Sequence, residues 1–460
     1  MNSMPMKVFL AVTTISLIIS LLFFMYSMPC TYQERFDGKC KYDRKNGIHS
    51  GKAMYSSTLK RIKEFNKELF VQVPRKFLKE YKNPCWYNNS DHFICLPYFY
   101  IVGFPKCGTT DIWDKIIQHP HVVATKFKEY QWWARRYERR GRPPSETMMG
   151  GDKYQPSSLD WYTSSIGEST FTTIHDINRD INNDINHDMK HDMKHDMKHD
   201  INHDINHDIN HDINHDMKHD INHDINHDIN HEGHDIHPAI FGDASMTTGW
   251  YLPPSWLSDF EIDGELVATT ADLIYALTPS AKIIFMLRDP IERLYSGYIF
   301  SRRGSQQKSA EDFHNMVEKV VKCLHQCMRV HTTRYCAYHT DICQNASTNI
   351  VDTIQTGMYV IFLRDWFKVF PRDQLHFILL DHWHHHPMRT LNAVYKFLQL
   401  DTVEDKKKIL NRTVKNSRST KDHLELGDML PATRDILENF YLPFNNDLMD
   451  FVHIHGGISN

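Results

Sequence analysis

No CxxC pair occurs anywhere in the 460 residues, and no Walker A loop, in which lysine directly follows the second glycine of a phosphate-binding turn. The first absence weighs against a structural zinc site. The nine cysteines read better as disulfides of an oxidising compartment, with Cys85 and Cys95 flanking a short loop and Cys323, Cys327, Cys336 and Cys343 clustered. The second absence weighs against a magnesium-dependent nucleotide kinase. A large net charge is lacking too: 53 basic against 57 acidic residues leave −4, and no nucleic acid partner is expected. Apolar residues at 41% and aromatics at 12% exclude a wholly disordered chain.

What is present in excess is histidine, 31 in all. Residues 175–235 repeat the units INHD and MKHD and hold 14 His, 16 acidic and 5 basic residues, a net of −11. Subtracting them leaves 48 basic and 41 acidic residues, so the remainder is +7 and fits an anionic ligand. A period of four matches neither a strand nor a straight helix, so the repeat is expected as a surface insertion. His and Asp at i, i+4 can share a divalent ion, but no dedicated metal site is expected.

Val8 to Met28 is an uncharged run of 21 residues, long enough to span a bilayer as a helix. Bulky residues at 26–29 make a poor cleavage site, which favours an uncleaved anchor over a signal peptide. The expected organisation is a cytoplasmic tail (1–7), a membrane anchor (8–28), a stem (29–82) and a catalytic domain (83–455) interrupted by the repeat. Within the stem, Leu59 to Phe70 reads as an amphipathic linker helix. Arg35, Lys39, Lys41, Arg44 and Lys45 follow the span and argue for the reverse orientation by the positive-inside rule. Sequons at Asn88, Asn345 and Asn411 and the cysteines favour a lumenal body.

From Pro97 strands and helices alternate. The apolar run Tyr98–Val102 leads into Gly103-Phe-Pro-Lys-Cys-Gly-Thr-Thr110 and then a helix. A second unit comprises a helix over Glu265–Leu277, a strand over Lys282–Leu287 and a helix over Glu292–Phe300, with Asp289 suited to an N-cap and Pro290 to N1. A third is Met358–Phe370, Leu375–Leu380 and Arg389–Leu398. This alternation predicts an α/β, three-layer, P-loop-like sandwich with a mostly parallel central sheet, whose ligands gather at the strands' carboxyl ends.

Two motifs lie there. In 103–110 a strand, a glycine-bearing loop and a helix start surround an anion with N–H groups, and Lys106 adds a charge. In the second, Arg288 leaves a buried strand and Ser296 lies eight residues further on, suiting a phosphate grip. Arg288 pairing with Asp289, or capping a neighbouring helix, is the plainer alternative.

Together these motifs resemble the 5′-phosphosulfate and 3′-phosphate elements of sulfotransferases that use 3′-phosphoadenosine 5′-phosphosulfate (PAPS). Pro97–Gly103, Lys128-Glu-Tyr-Gln-Trp-Trp133, Gly242-Asp-Ala-Ser245, Met286–Ser296 and Phe440–Asn445 bring the resemblance to the Golgi carbohydrate sulfotransferases, nearest those that add a 6-O-sulfate to N-acetylgalactosamine 4-sulfate. The resemblance implies the sulfotransferase fold, PAPS as co-substrate without a metal, a chondroitin or dermatan sulfate acceptor, and a single-pass type II Golgi membrane protein with a lumenal catalytic domain. It implies nucleotide contacts from Lys106, Cys107, Gly108, Thr109, Thr110, Arg288 and Ser296, and from the basic loop containing Lys415, Arg418 and Lys421. Glu129 would be the general base, with Lys106 also catalytic. Trp132, Trp133, Asp243 and Ser245 would contact the sugar, the tryptophans by stacking. A surface ion pair is the alternative reading of Glu129, and a catalytically silent glycan-binding or metal-interacting protein that of the whole chain. The repeat falls inside the catalytic domain, so the strand at Gly242 is where it would do damage. Oligomeric state is left open.

Overall fold

Runs of β-branched and aromatic residues that are buried on consecutive positions belong in a sheet covered on both faces, because neighbouring side chains in a strand point to opposite sides. The computed structural model describes residues 57–135, 158–167, 169–176, 239–301, 309–343, 353–403, 406–411 and 427–454. In it, β1 (Phe99–Gly103), β2 (Gly242–Asp243), β3 (Lys282–Leu287) and β4 (Leu375–Leu379) form a sheet in the order β2-β1-β3-β4. Each neighbouring pair is parallel, with Phe99 opposite both Gly242 and Lys282, and Ile283 opposite Leu375. All five residues of β1 are buried, as are five of the six in β3. The expected α/β class and parallel sheet are therefore present.

The principal helices are α1 (Thr109–Ile116), α2 (Trp132–Arg135), α3 (Leu159–Ile166), α4 (Thr270–Leu277), α5 (Pro290–Ser301), α6 (Ala310–Val330), α7 (Thr333–Tyr338), α8 (Tyr359–Val369), α9 (Pro387–Phe397) and α10 (Pro431–Ile454). Local chemistry sets their ends. Asp289 Oδ1 accepts bonds from the N–H groups of Ile291 and Glu292, so α5 starts at Pro290, two residues before the periodicity suggests. The expected helix over 265–277 is shortened at its start. Glu265–Leu266 instead pairs with Glu261–Ile262 as a small hairpin, and a capping box between Thr269 and Asp272 opens α4.

The insertion leaves the sheet in register at β2, where Gly242 lies against the Phe99 ring. A Cβ at 242 would sit 2.5 Å from that ring, so only glycine lets the strands close. The body also begins earlier than residue 83. Ile62, Leu69 and Val73 are buried, and Phe65 packs edge-on to Trp256 and Phe260 at 5.9 and 5.0 Å. The stretch read as a stem helix thus contributes to the core.

Three disulfides form among the described residues: Cys85–Cys95, Cys323–Cys343 and Cys327–Cys336. The first closes a hairpin, and the other two tie α6 to α7 and the segment after it. The membrane-span candidate 8–28 and all but the first two residues of the repeat lie outside the described residues. Among those described, no helix is long and apolar enough to cross a membrane.

Candidate active site

Parallel neighbours end at the same edge, so the loops after β1, β2 and β3 converge. Gly108 ends the first of them at φ 83, in the left-handed region, and caps α1 without a side chain. A Cβ there would fall 2.5 Å from Leu380 Cδ1 as well as being strained. The first-turn N–H groups of α1 thus meet no capping side chain and suit an anion, favoured further by the helix dipole. Lys106 also has a positive φ, 65, unusual for a side chain with a Cβ and found most often where a loop has a task. Its ammonium lies 4.3 Å over the ring of Phe300, at the exposed end of α5. Cys107 turns inward: it is fully buried, 3.7 Å from the Tyr359 hydroxyl, and burial pushes its thiol up to about 11. Its contribution to a ligand is confined to its backbone.

Arg288 comes from the end of β3 and reaches back, its Nη1 donating to the Lys106 carbonyl at 3.3 Å. The two sequence motifs are thereby joined. The alternative partner for Arg288 is Glu292, not Asp289: the guanidinium is 4.0 Å from Glu292, which is held more closely by Arg434 of α10 at 2.7 Å. Ser296 is four residues beyond Glu292 on the same face of α5 and is 5% exposed. Arg418 and Lys421, and Lys415 with them, lie outside the described residues.

Glu129 approaches the start of α1 through its neighbour Lys128. Lys128 Nζ pairs with the Glu129 carboxylate and reaches Thr109 Oγ1 and the Ala244 carbonyl, each at 3.5 Å. One lysine therefore links the carboxylate, the start of α1 and the loop after β2. Glu129 is part-exposed, so an incoming hydroxyl can reach it.

Beneath Glu129 lies a buried polar network. The Gln131 N–H donates to Ser245 Oγ at 2.8 Å, Ser245 donates to Asp243 at 2.5 Å, and the Tyr162 hydroxyl donates to the other Asp243 oxygen at 2.7 Å. Trp133 Nε1 donates to Tyr162 at 3.2 Å. Burial pushes Asp243 up to about 6, against the pull of the hydrogen bonds from Ser245 and Tyr162. This geometry corrects four expected sugar contacts. Asp243 and Ser245 are 2% and 1% exposed, and they hold the 129–131 turn rather than face an acceptor. Trp132 and Trp133 are 2% and 1% exposed; Trp132 stacks on Tyr162 at 4.5 Å, and Trp133 packs edge-on to Tyr100. Their ring faces are covered by neighbours and are not open to a sugar. Tyr162 lies in no motif that would have pointed to it, and Gln131, though inside the 128–133 segment, is given no role by the resemblance.

A family model described as "Sulfotransferase domain" matches residues 269–430. The chain carries a sulfotransferase domain. It is also 28% identical over 435 residues to carbohydrate sulfotransferase 15 of Homo sapiens, covering 84% of this chain and 66% of that protein. The Mus musculus protein of the same name is 28% identical over 438 residues, covering 85% and 67%. The chain thus spans about two thirds of the length of these homologues. A sulfotransferase structure from Alicyclobacillus acidocaldarius superposes with a TM-score of 0.43 at 18% identity, over 78% of this chain and 96% of that one.

The matched segment takes in Arg288, Ser296 and residues 415–421, but neither Lys106 nor Glu129. Those two are joined to it by the sheet. Lys106 and Arg288 thus meet where β1 and β3 end. Asn88 sits in the hairpin loop closed by Cys85–Cys95, with its Oδ1 accepting the N–H groups of Ser90 and His92. Asn411 is exposed, and Asn345 lies outside the described residues.

Proposed function

We propose that the protein transfers a sulfonate group from PAPS to a hydroxyl of a glycosaminoglycan. The observation that carries this is the 3.5 Å approach of Lys128 to Thr109, which sets Glu129 beside the anion-binding start of α1. Glu129 takes the proton from the acceptor hydroxyl as its oxygen attacks sulfur, so a new S–O bond forms while the S–O bond to the phosphate breaks. Lys106 and the N–H groups of the 106–110 loop stabilise charge gathering on the leaving phosphate oxygen, leaving 3′-phosphoadenosine 5′-phosphate. Arg288 and Ser296 hold the 3′-phosphate. Asp243, Ser245 and Tyr162 keep the 129–131 turn in place.

For the acceptor we favour C6 of N-acetylgalactosamine 4-sulfate in chondroitin or dermatan sulfate, on the resemblance carried by Lys128–Trp133 and Gly242–Ser245. A Golgi type II topology with a lumenal body is supported by three disulfides and by sequons at Asn88 and Asn411. The test is transfer of radiolabelled sulfonate from PAPS to a panel of sulfated and desulfated glycosaminoglycans, with and without chelator. Label in 4-sulfated galactosaminoglycans, unaffected by chelator, is the expected result. A protein that binds nucleotide but labels no acceptor would refute the reading.

A further inference from the structure

Helix α6 has two opposite faces. Phe313, Val317, Val320 and Leu324 form a buried stripe on one, and two disulfides, from Cys323 and Cys327, fix the helix to α7 and the segment beyond it. The other face turns outward and lines a groove of about 770 Å³ with Ile436 of α10 on its far side. Lys319, Lys322, His325, Gln326 and Arg329 are exposed along this face. From Lys319 to Arg329 the helix rises about 15 Å. That length suits a stretch of polymer better than one small anion.

The residues that line the groove carry three permanent cations against one carboxylate. That carboxylate, Glu318, lies 3.5 Å from His314 one turn back. From α10 only Ile436 joins the lining, and its neighbours Asp435 and Glu438 are exposed beside the groove rather than within it. An ordinary solvated helix interleaves both signs and stands on an open surface. This one presents three permanent cations and a histidine to a concavity, on a helix that two disulfides pin.

We propose that this outer face of α6 is a docking surface for a sulfated polysaccharide chain, apart from the residues that meet the reacting hydroxyl. The inference takes its polymer from the function proposed above, and it is read by binding alone. Sulfates at regular spacing along a linear chain would pair with Lys319, Lys322 and Arg329, while Val321 and Ile436 give the groove an apolar part for sugar rings. Attraction of this kind weakens as salt rises.

The test compares wild type with the triple variant Lys319→Ala, Lys322→Ala, Arg329→Ala, and with Lys319→Arg, Lys322→Arg, which keeps the charge. Affinity for polymeric chondroitin sulfate is measured across a salt series, and transfer to a tetrasaccharide acceptor is measured alongside. The alanine variant is expected to lose about tenfold in polymer affinity and to show a flatter salt dependence, with tetrasaccharide transfer within about twofold of wild type. The arginine variant is expected to bind like wild type. Polymer affinity unchanged in the alanine variant overturns the proposal, as does equal loss in the arginine variant. Binding to phosphatidylserine vesicles in place of the polysaccharide also overturns it, in favour of a membrane surface. If wild type binds polymer through α6 but sulfonates no acceptor, the docking surface stands and the proposed function fails.

Discussion

The two sides of the proposed site, nucleotide and acceptor, are built differently. On the nucleotide side, Lys106, Gly108, Thr109 and Thr110 come from one unbroken strand–loop–helix segment, and Arg288 joins them from the next strand through a single bond to the Lys106 carbonyl. On the acceptor side, Glu129 rests on Gln131, Ser245, Asp243 and Tyr162, drawn from three separated segments and almost wholly buried. The nucleotide side is shaped by backbone conformation, at Gly108 and Lys106. The acceptor side is held by side-chain packing and hydrogen bonds. Damage to the first should therefore appear in nucleotide binding, and damage to the second in rate or stability.

The widest separation comes from Glu129→Gln, which removes the base while keeping the shape. It should lower turnover by about 10² to 10⁴-fold in the sulfonate-transfer assay. Turnover within a few-fold of wild type would put the base elsewhere. Lys106→Ala removes a full charge opposite the leaving oxygen and should cost about 10² to 10³-fold in turnover with an unchanged thermal midpoint. A large drop in the midpoint would make Lys106 structural and dissolve the contrast between the sides.

Two further substitutions probe the support beneath Glu129. Trp132→Ala opens a cavity beside the Tyr162 ring and should lower unfolding free energy by about 3–5 kcal/mol, read by denaturant titration. Tyr162→Phe keeps the ring but removes one donor to Asp243. Its expected cost is smaller, about 1–3 kcal/mol, because a buried acceptor is left short of a bond.

The smallest effect is one of pH. Asp243 is pushed up to about 6 from an ordinary value of 3.8, so the folded protein keeps a proton that the unfolded chain gives up. Its contribution to stability is greatest below that window and declines as pH rises from about 4 to about 6. Asp272, also raised to about 6, acts in the same direction. His376, pushed down to about 4 by burial, acts in the opposite one. The informative quantity is thus the difference between wild type and Asp243→Asn, which should grow in the variant's favour as pH rises through this interval. A constant difference would show that Asp243 does not titrate there.

The same division between local and distant support separates what the sequence reveals from what it hides. Residues 97–117 carry their structure locally: an apolar strand, a glycine-bearing turn and isoleucines at helical spacing. Strand β3 is legible to the residue, at Lys282–Leu287, because its run is uniformly apolar and punctuated by Arg288-Asp-Pro. Helix starts shift where a cap decides them, as Thr269 and Asp272 do for α4. The tryptophans mislead because chemistry alone cannot tell a stacking platform from a core residue. Tyr162, the partner that covers Trp132, lies thirty residues on, and Asp243, which holds Tyr162, lies beyond the insertion. Nothing in the local pattern of 128–133 announces either. Phe65 and Leu69 likewise read as stem, because the rings that Phe65 meets, Trp256 and Phe260, are nearly two hundred residues away.

The assignment at stake is that nucleotide binding rests on Lys106 and acceptor activation on Glu129, both near the start of α1. It is tested most directly by measuring the affinity of Lys106→Ala and Glu129→Gln for 3′-phosphoadenosine 5′-phosphate by calorimetry. Clear weakening in Lys106→Ala and wild-type affinity in Glu129→Gln are expected. Equal affinities in the two variants, or weakening confined to Glu129→Gln, would contradict it.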